Sequence, residues 1–155
     1  MVIQRWQSLL LLVAAAVMAC FTFIPFAQVT TTDYTFNLTG LGFHQAGIPT
    51  DGEAPLYIHT WYFFMLSITT IVLLLIDIFL YKKLRLQMRV CLVSLMFIIA
   101  DACVGGLLGF NAIEGGSVWW TTVSLCPFIA IFSTIFAYYR MRYDYSLLKA
   151  SDRLR

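Results

Sequence analysis

Four apolar runs, each about as long as a bilayer is thick, constrain this chain more than any other feature. They cover residues 8–27, 59–81, 90–110 and 119–139. A helix rises about 1.5 Å per residue, so roughly 20 apolar residues cross the ~30 Å hydrocarbon core. Water is absent at that depth, so every peptide group must be satisfied within the segment, and such runs fold as helices. Composition agrees. Of 155 residues, 61% are hydrophobic and 12% charged, against averages of about 45–50% and about 25% in soluble domains. A small chain buries proportionally little of its surface, so the apolar excess must face lipid. The expected fold is an all-α membrane protein: one integral domain over residues 1–155, built as a four-transmembrane-helix bundle.

The first run begins as a signal peptide does, with Arg5 ahead of an apolar core. It then stays apolar through Phe21, Phe23, Ile24 and Phe26, with no small-x-small site to close it. Cleavage at Cys20 would leave Phe-Thr-Phe-Ile-Pro-Phe directly after the new terminal cysteine, still inside the run. The run is therefore read as a retained helix.

The basic residues orient the chain. They are Arg5, Lys82, Lys83, Arg85, Arg89, Arg140, Arg142, Lys149, Arg153 and Arg155. Segments 28–58 and 111–118 contain none. Four crossings put the N-terminus, the 82–89 turn and the 140–155 tail on one side, and all ten basic residues with them. The positive-inside rule makes that side cytoplasmic, and the expected location is the bacterial inner membrane, with both termini inside. Trp61, Tyr62, Trp119 and Trp120 mark the outer edge; Tyr81, Tyr138, Tyr139 and Tyr143 mark the inner one, as amphipathic rings favour the headgroup layer. A net charge of +2 gives no reason to expect nucleic acid.

Outer loop 28–58 carries a period-2 pattern, with Tyr34, Phe36 and Leu38 alternating with Asp33, Thr35, Asn37 and Thr39, followed by Gly40 and Gly42. It predicts a short β-hairpin over the outer helix ends. Gly47, Pro49, Gly52 and Pro55 predict a turn-rich return. Asn37-Leu38-Thr39 matches a glycosylation triplet, a pattern common by chance. In the tail, Tyr143, Leu147 and Leu154 share helical spacing, which fits an amphipathic continuation of helix 4 or a partner-binding segment.

Two carboxyls fall inside the apolar runs. A carboxylate at mid-bilayer costs about 2.5–3.5 kcal/mol on insertion scales, so Asp77 and Asp101 are the candidate intramembrane polar site. Asp77 precedes Lys82 by five residues, about 7 Å along a helix, and a salt bridge to Lys82, Lys83 or Arg89 is the expectation. Asp101 lies twelve residues past Arg89, roughly 18 Å in, with no cation at that depth. A hydrogen-bonded clamp to Thr69, Thr70, Ser133 or Thr134 is expected there; proton or ion coupling and a contact to another subunit are the alternatives. Gly105 and Gly109 continue the Asp101 stripe at four-residue intervals, which lets backbones approach closely within the bundle or at a homodimer seam.

No enzyme or metal motif accompanies these residues. Cys20, Cys91, Cys103 and Cys126 form no C-x-x-C pair. His44, His59 and Glu114 share the outer side without metal-ligand spacing, and no nucleophile–base pair, phosphate loop or H-E-x-x-H is present. No cofactor and no metal are expected.

The chain opens Met1-Val2-Ile3-Gln4-Arg5-Trp6-Gln7, turns on Leu84-Arg85-Leu86-Gln87-Met88-Arg89 and closes Ala150-Ser151-Asp152-Arg153-Leu154-Arg155. In these it resembles an uncharacterised family of four-helix inner-membrane proteins from Bacteroidota, a domain-of-unknown-function family. That family starts Met-Ile-Gln-Arg-x-Gln and ends in a Ser-x-Asp-Arg-Leu-Arg type of tail. Val2 is an extra residue here, and Ala150-Ser151 stands where the family often has Ser-Leu. The resemblance implies the same four-helix topology and carries over no catalytic residues. The shared residues all fall at the cytoplasmic face, which suggests a polar network of Gln4, Arg5, Arg85, Gln87, Arg89, Asp152 and Arg153, with Asp152 and Asp77 as acidic partners.

Small size, absence of catalytic motifs and a patterned cytoplasmic face point to a non-enzymatic accessory or scaffolding subunit of a larger membrane complex. Besides the bilayer, its expected partners are another membrane protein or further copies of itself. The alternative is a small ion-coupled transporter or channel-like oligomer using Asp101. A third class, a ligand-binding or enzymatic outer loop, requires a cavity near His59, Trp61 and Glu114.

Overall fold

The computed structural model describes residues 2–30, 35–46, 57–111 and 117–153, the side chains at 2–5, 57–58, 82, 111, 148 and 150–153 excepted. Four long helices run through it: α1 (Val2–Phe23), α2 (Trp61–Phe79), α3 (Leu84–Asn111) and α4 (Cys126–Arg153). Each contains a stretch long and apolar enough to cross a membrane. They pack in a ring, α1 against α2 and α4, and α3 against the same two.

Several helix boundaries differ from those expected. α1 stops at Phe23 rather than residue 27, because Pro25 cannot continue a helix and disfavours helical geometry in the residue before it. α3 starts at Leu84 rather than residue 90. Its opening Leu-Arg-Leu-Gln-Met-Arg consists of strong helix formers, so the inner turn shrinks to a 3-10 turn at Leu80–Lys82 plus Lys83. α4 starts at Cys126 rather than residue 119 and runs unbroken to Arg153, taking in the tail. Pro127 sits in its first turn, where a missing N–H costs nothing.

The four helices share one packing pattern. Their buried seams are Gln7, Leu11, Ala14, Met18 and Phe21 on α1, and Phe63, Ser67, Thr70, Leu74 and Asp77 on α2. On α3 the seam is Gln87, Cys91, Ser94, Ile98 and Asp101, and on α4 it is Ala130, Thr134, Ala137 and Met141. Steps of four and three alternate throughout, the spacing of helices wound gently around one another. Small and polar side chains are common in these seams, while Leu12, Val13, Met65, Val72, Met96, Phe132 and Phe136 face outward. Lipid gives helices no hydrophobic reason to associate, so small and polar contacts do that work in membrane proteins.

Over one end lies a five-stranded antiparallel sheet, larger than the expected hairpin. Its strands are β1 (Ala27–Thr30), β2 (Thr35–Thr39), β3 (Gly42–Ala46), β4 (Tyr57–His59) and β5 (Ser117–Trp120), in the order β4-β3-β2-β1-β5. The expected hairpin is β2–β3, with Leu38 opposite Phe43 and Phe36 and Leu38 buried. Ala27 of β1 and Trp119 and Trp120 of β5 fall in runs expected to be helical, the rest of both strands in the expected outer segments, and β5 ties the second outer segment to the first through Val29 opposite Val118. The β-branched and aromatic residues of β5 suit a strand. Asp33, Tyr34 and the turn-rich return fall outside the described residues. Gly40 docks the hairpin on α1: its N–H donates to the Thr22 carbonyl at 2.9 Å, satisfying an end-of-helix carbonyl. A Cβ on Gly40 would lie 2.6 Å from that oxygen.

Candidate functional site

Asp101 sits on the α3 seam, one turn before Gly105, and is fully buried. The phase of the α2 seam turns Ser67 and Thr70 toward it. Ser67 Oγ donates to Asp101 Oδ1 at 3.0 Å and Thr70 Oγ1 to Oδ2 at 2.5 Å. The Thr70 hydroxyl also lies 3.1 Å from its own helix carbonyl at Leu66. Of the expected partners only Thr70 reaches the carboxyl. Thr69 faces outward and donates to Met65, and Thr134 donates to Ala130. Ser67 was legible in principle, since it stands one seam step before Thr70. The geometry is a two-hydroxyl clamp joining α2 to α3.

The glycine stripe beyond Asp101 is spent inside the molecule. A Cβ on Gly105 would come within 3.1 Å of Phe21 and 3.3 Å of Phe63, and one on Gly109 within 2.4 Å of Trp120. The Phe21, Phe26 and Phe63 rings cluster above Asp101, with centroids 4.6 to 6.1 Å apart. Beside them is a cavity of about 210 Å³ lined mainly by Phe21, Phe26, Gly105, Gly106, Trp120 and Phe128. It is apolar and lies by β5. His59 stands across the sheet on β4, so this is not the cavity expected near His59 and Trp61.

Asp77 departs from expectation. It is fully buried on the α2 seam, while Lys83 and Arg89 are exposed, and neither of its carboxyl oxygens accepts a hydrogen bond. The expected salt bridge to Lys83 or Arg89 is therefore absent; the Lys82 side chain lies outside the described residues. Depth along the helix put Asp77 near the basic turn, but its direction follows the seam into the interior. Gln87 and Cys91 of α3 meet it there. Gln87 Nε2 donates to the Asp77 backbone carbonyl at 3.1 Å.

The expected cytoplasmic network is split. Gln87 is buried with Asp77, Arg89 points outward, and Arg85 Nε donates to the Tyr145 hydroxyl at 2.7 Å. The Arg85 guanidinium also stands 5.3 Å from the Tyr145 ring centroid. The side chains of Gln4, Arg5, Asp152 and Arg153 lie outside those described. Sequence reasoning missed a further contact: Gln7 of α1 donates through Nε2 to Asp144 of α4. Nothing local pairs residues so far apart in the chain.

On the outer sheet face, the register sets His44 opposite Tyr57 and Gly42 opposite His59, so the two histidines share a face on adjacent strands. Among the described residues no group of three His, Cys, Asp or Glu is placed to hold a metal ion. Glu114 falls outside them.

These features define a class: a small protein of four helices long and apolar enough to cross a membrane, with carboxyls on its inner seams and a sheet across one end. The chain belongs to the family described as a domain of unknown function, DUF4293, whose match spans residues 3–154. No curated protein matches it.

Proposed function

We propose that this is a four-helix integral protein of the bacterial inner membrane, both termini cytoplasmic, acting as an accessory or scaffolding subunit of a larger membrane complex. The orientation rests on the basic residues. Lys83, Arg85 and Arg89 gather where α2 meets α3, and Arg140, Arg142 and Lys149 follow the apolar part of α4. The sheet end carries no Lys or Arg, in keeping with the positive-inside rule.

One observation carries the scaffolding reading. α4 continues as a helix through residues 140–153, past the 119–139 run. On this continuation Tyr143 is 60% and Leu147 48% exposed, with Tyr139 at 62% one turn before them. These three side chains share the outward face of a helix whose other side is held by Gln7 and Arg85, and such a face suits a partner helix laid alongside. The reading is non-enzymatic and asks for no cofactor. Ion coupling through Asp101 has less support, since both carboxyl oxygens are already engaged by hydroxyls of the same chain.

The test is purification in mild detergent with quantitative mass spectrometry, comparing wild type with a Tyr143→Ser, Leu147→Ser double variant. A partner at fixed stoichiometry, lost in the variant while monomer stability is kept, is the expected result. Recovery of the wild type alone and monomeric across several detergents overturns the reading.

A further inference from the structure

The scaffolding reading leaves Asp77 and Gln87 unused, and they hold the least satisfied polar chemistry in the described molecule. Asp77 lies on α2, two residues before the helix ends at Phe79. Both its oxygens are buried without a hydrogen bond. Gln87, from the opening turns of α3, is held against α2 by its bond to the Asp77 carbonyl, and its own Oε1 is buried and accepts nothing. Cys91, one turn further along α3, sets its thiol beside the Asp77 carboxyl, but the thiol lies 3.7 Å from the Thr134 carbonyl, to which it donates. Three acceptor oxygens on these two residues are thus buried without a hydrogen bond, the nearby Cys91 thiol being turned to Thr134.

A buried carboxylate without a partner is not sustained; it must meet a cation or take up a proton. The charged side chains described on the neighbouring elements are otherwise placed; those of Arg5 and Lys82 lie outside the described residues. Lys83, after α2, is exposed; on α3 Arg85 is exposed and engaged with Tyr145, and Arg89 is exposed. On α4 Arg140 and Arg142 are exposed, and Asp144 is bound by Gln7 of α1. A hard metal ion calls for about six oxygen ligands, and a thiol is the wrong neighbour for one. A proton supplies the missing donor directly, because a neutral carboxyl carries one O–H.

We propose that the inner ends of α2 and α3 form a proton-binding site, in which Asp77 holds the proton and Gln87 Oε1 is the acceptor it serves. Ionisable groups at membrane depth commonly mark proton relays. This site lies on the basic end of the molecule, and Asp101 is not part of it.

The experiment uses the full chain in mild detergent. The infrared C=O band of protonated carboxyls is compared among wild type, Asp77→Asn and Asp101→Asn. A drop in Asp77→Asn is expected, and an unchanged band there overturns the site. Wild type is also treated with dicyclohexylcarbodiimide, which adds to protonated carboxyls in apolar surroundings, and the adduct is mapped by peptide mass. An adduct at Asp77 that grows as pH falls and is indifferent to sodium or potassium at fixed pH is expected. Protection by either metal ion at fixed pH overturns the proton in favour of a cation site. Where Asp77→Asn does not fold, the wild-type map decides: an adduct at Asp77 supports the site, and a molecule unmodified there overturns it.

Discussion

Replacing Thr70 with Val keeps the shape of the side chain and removes only its hydroxyl. Asp101 Oδ2 would then be buried with no donor, while Ser67 still serves Oδ1 at 3.0 Å. Interhelical hydrogen bonds in membrane proteins average about 0.6 kcal/mol and reach about 1.7 kcal/mol. Both contacts reach a fully buried carboxyl, so Thr70→Val and Ser67→Ala are each expected to cost about 0.5–1.5 kcal/mol. The cleaner quantity is the coupling in a double-mutant cycle of Thr70→Val with Asp101→Ala, expected at about 1 kcal/mol. Reversible unfolding in mixed micelles, followed through the fluorescence of Trp6, Trp61, Trp119 and Trp120, gives all four corners. Distant sites add to within about 0.3–0.5 kcal/mol. A coupling inside that band would refute the clamp, and so would a Thr70→Val protein as stable as wild type.

Two glycines on the same molecule should respond in opposite directions. Gly40→Ala puts a Cβ 2.6 Å from a backbone oxygen that cannot swing aside, so a loss of about 1–3 kcal/mol is expected in thermal unfolding. A Cβ on Gly106 meets nothing within 4 Å, so Gly106→Ala should be neutral or gain up to about 1 kcal/mol from helix propensity. In a cysteine-free background, Ser146→Cys should react with an impermeant maleimide only from the cytoplasmic side and Gln28→Cys only from the outside; the reverse pattern would invert the proposed topology. Arg85→Ala should loosen the α3–α4 contact at Tyr145 by no more than about 1 kcal/mol, because the pair is exposed, read as faster amide exchange in residues 140–150.

The number of helices could be read from the chain because a bilayer sets their length and apolar runs record it. Their ends could not. Residues 27–30 and 117–120 are apolar or β-prone enough to suit either a helix end or a strand. They become strands because they pair with each other and with β2, a contact between segments nearly ninety residues apart. Pro25 was the local sign that α1 had to stop before them. In the site, the kind of partner Asp101 would find was legible. Which hydroxyls would serve it was not, because that depends on the rotation of α2 about its axis.

The chain by itself determined four long apolar helices, a basic cluster between the second and third, another after the fourth, and two carboxyls within the apolar runs, since length, charge and hydropathy are properties of each segment alone. Only the tertiary structure decided what those carboxyls face. Asp77 and Asp101 both lie on seams stepped by four and three, yet one is met by two hydroxyls and the other by an amide and a thiol that leave its oxygens unpaired. That difference is set by the neighbouring helix, whose register against Asp77 or Asp101 exists only once the helices have packed.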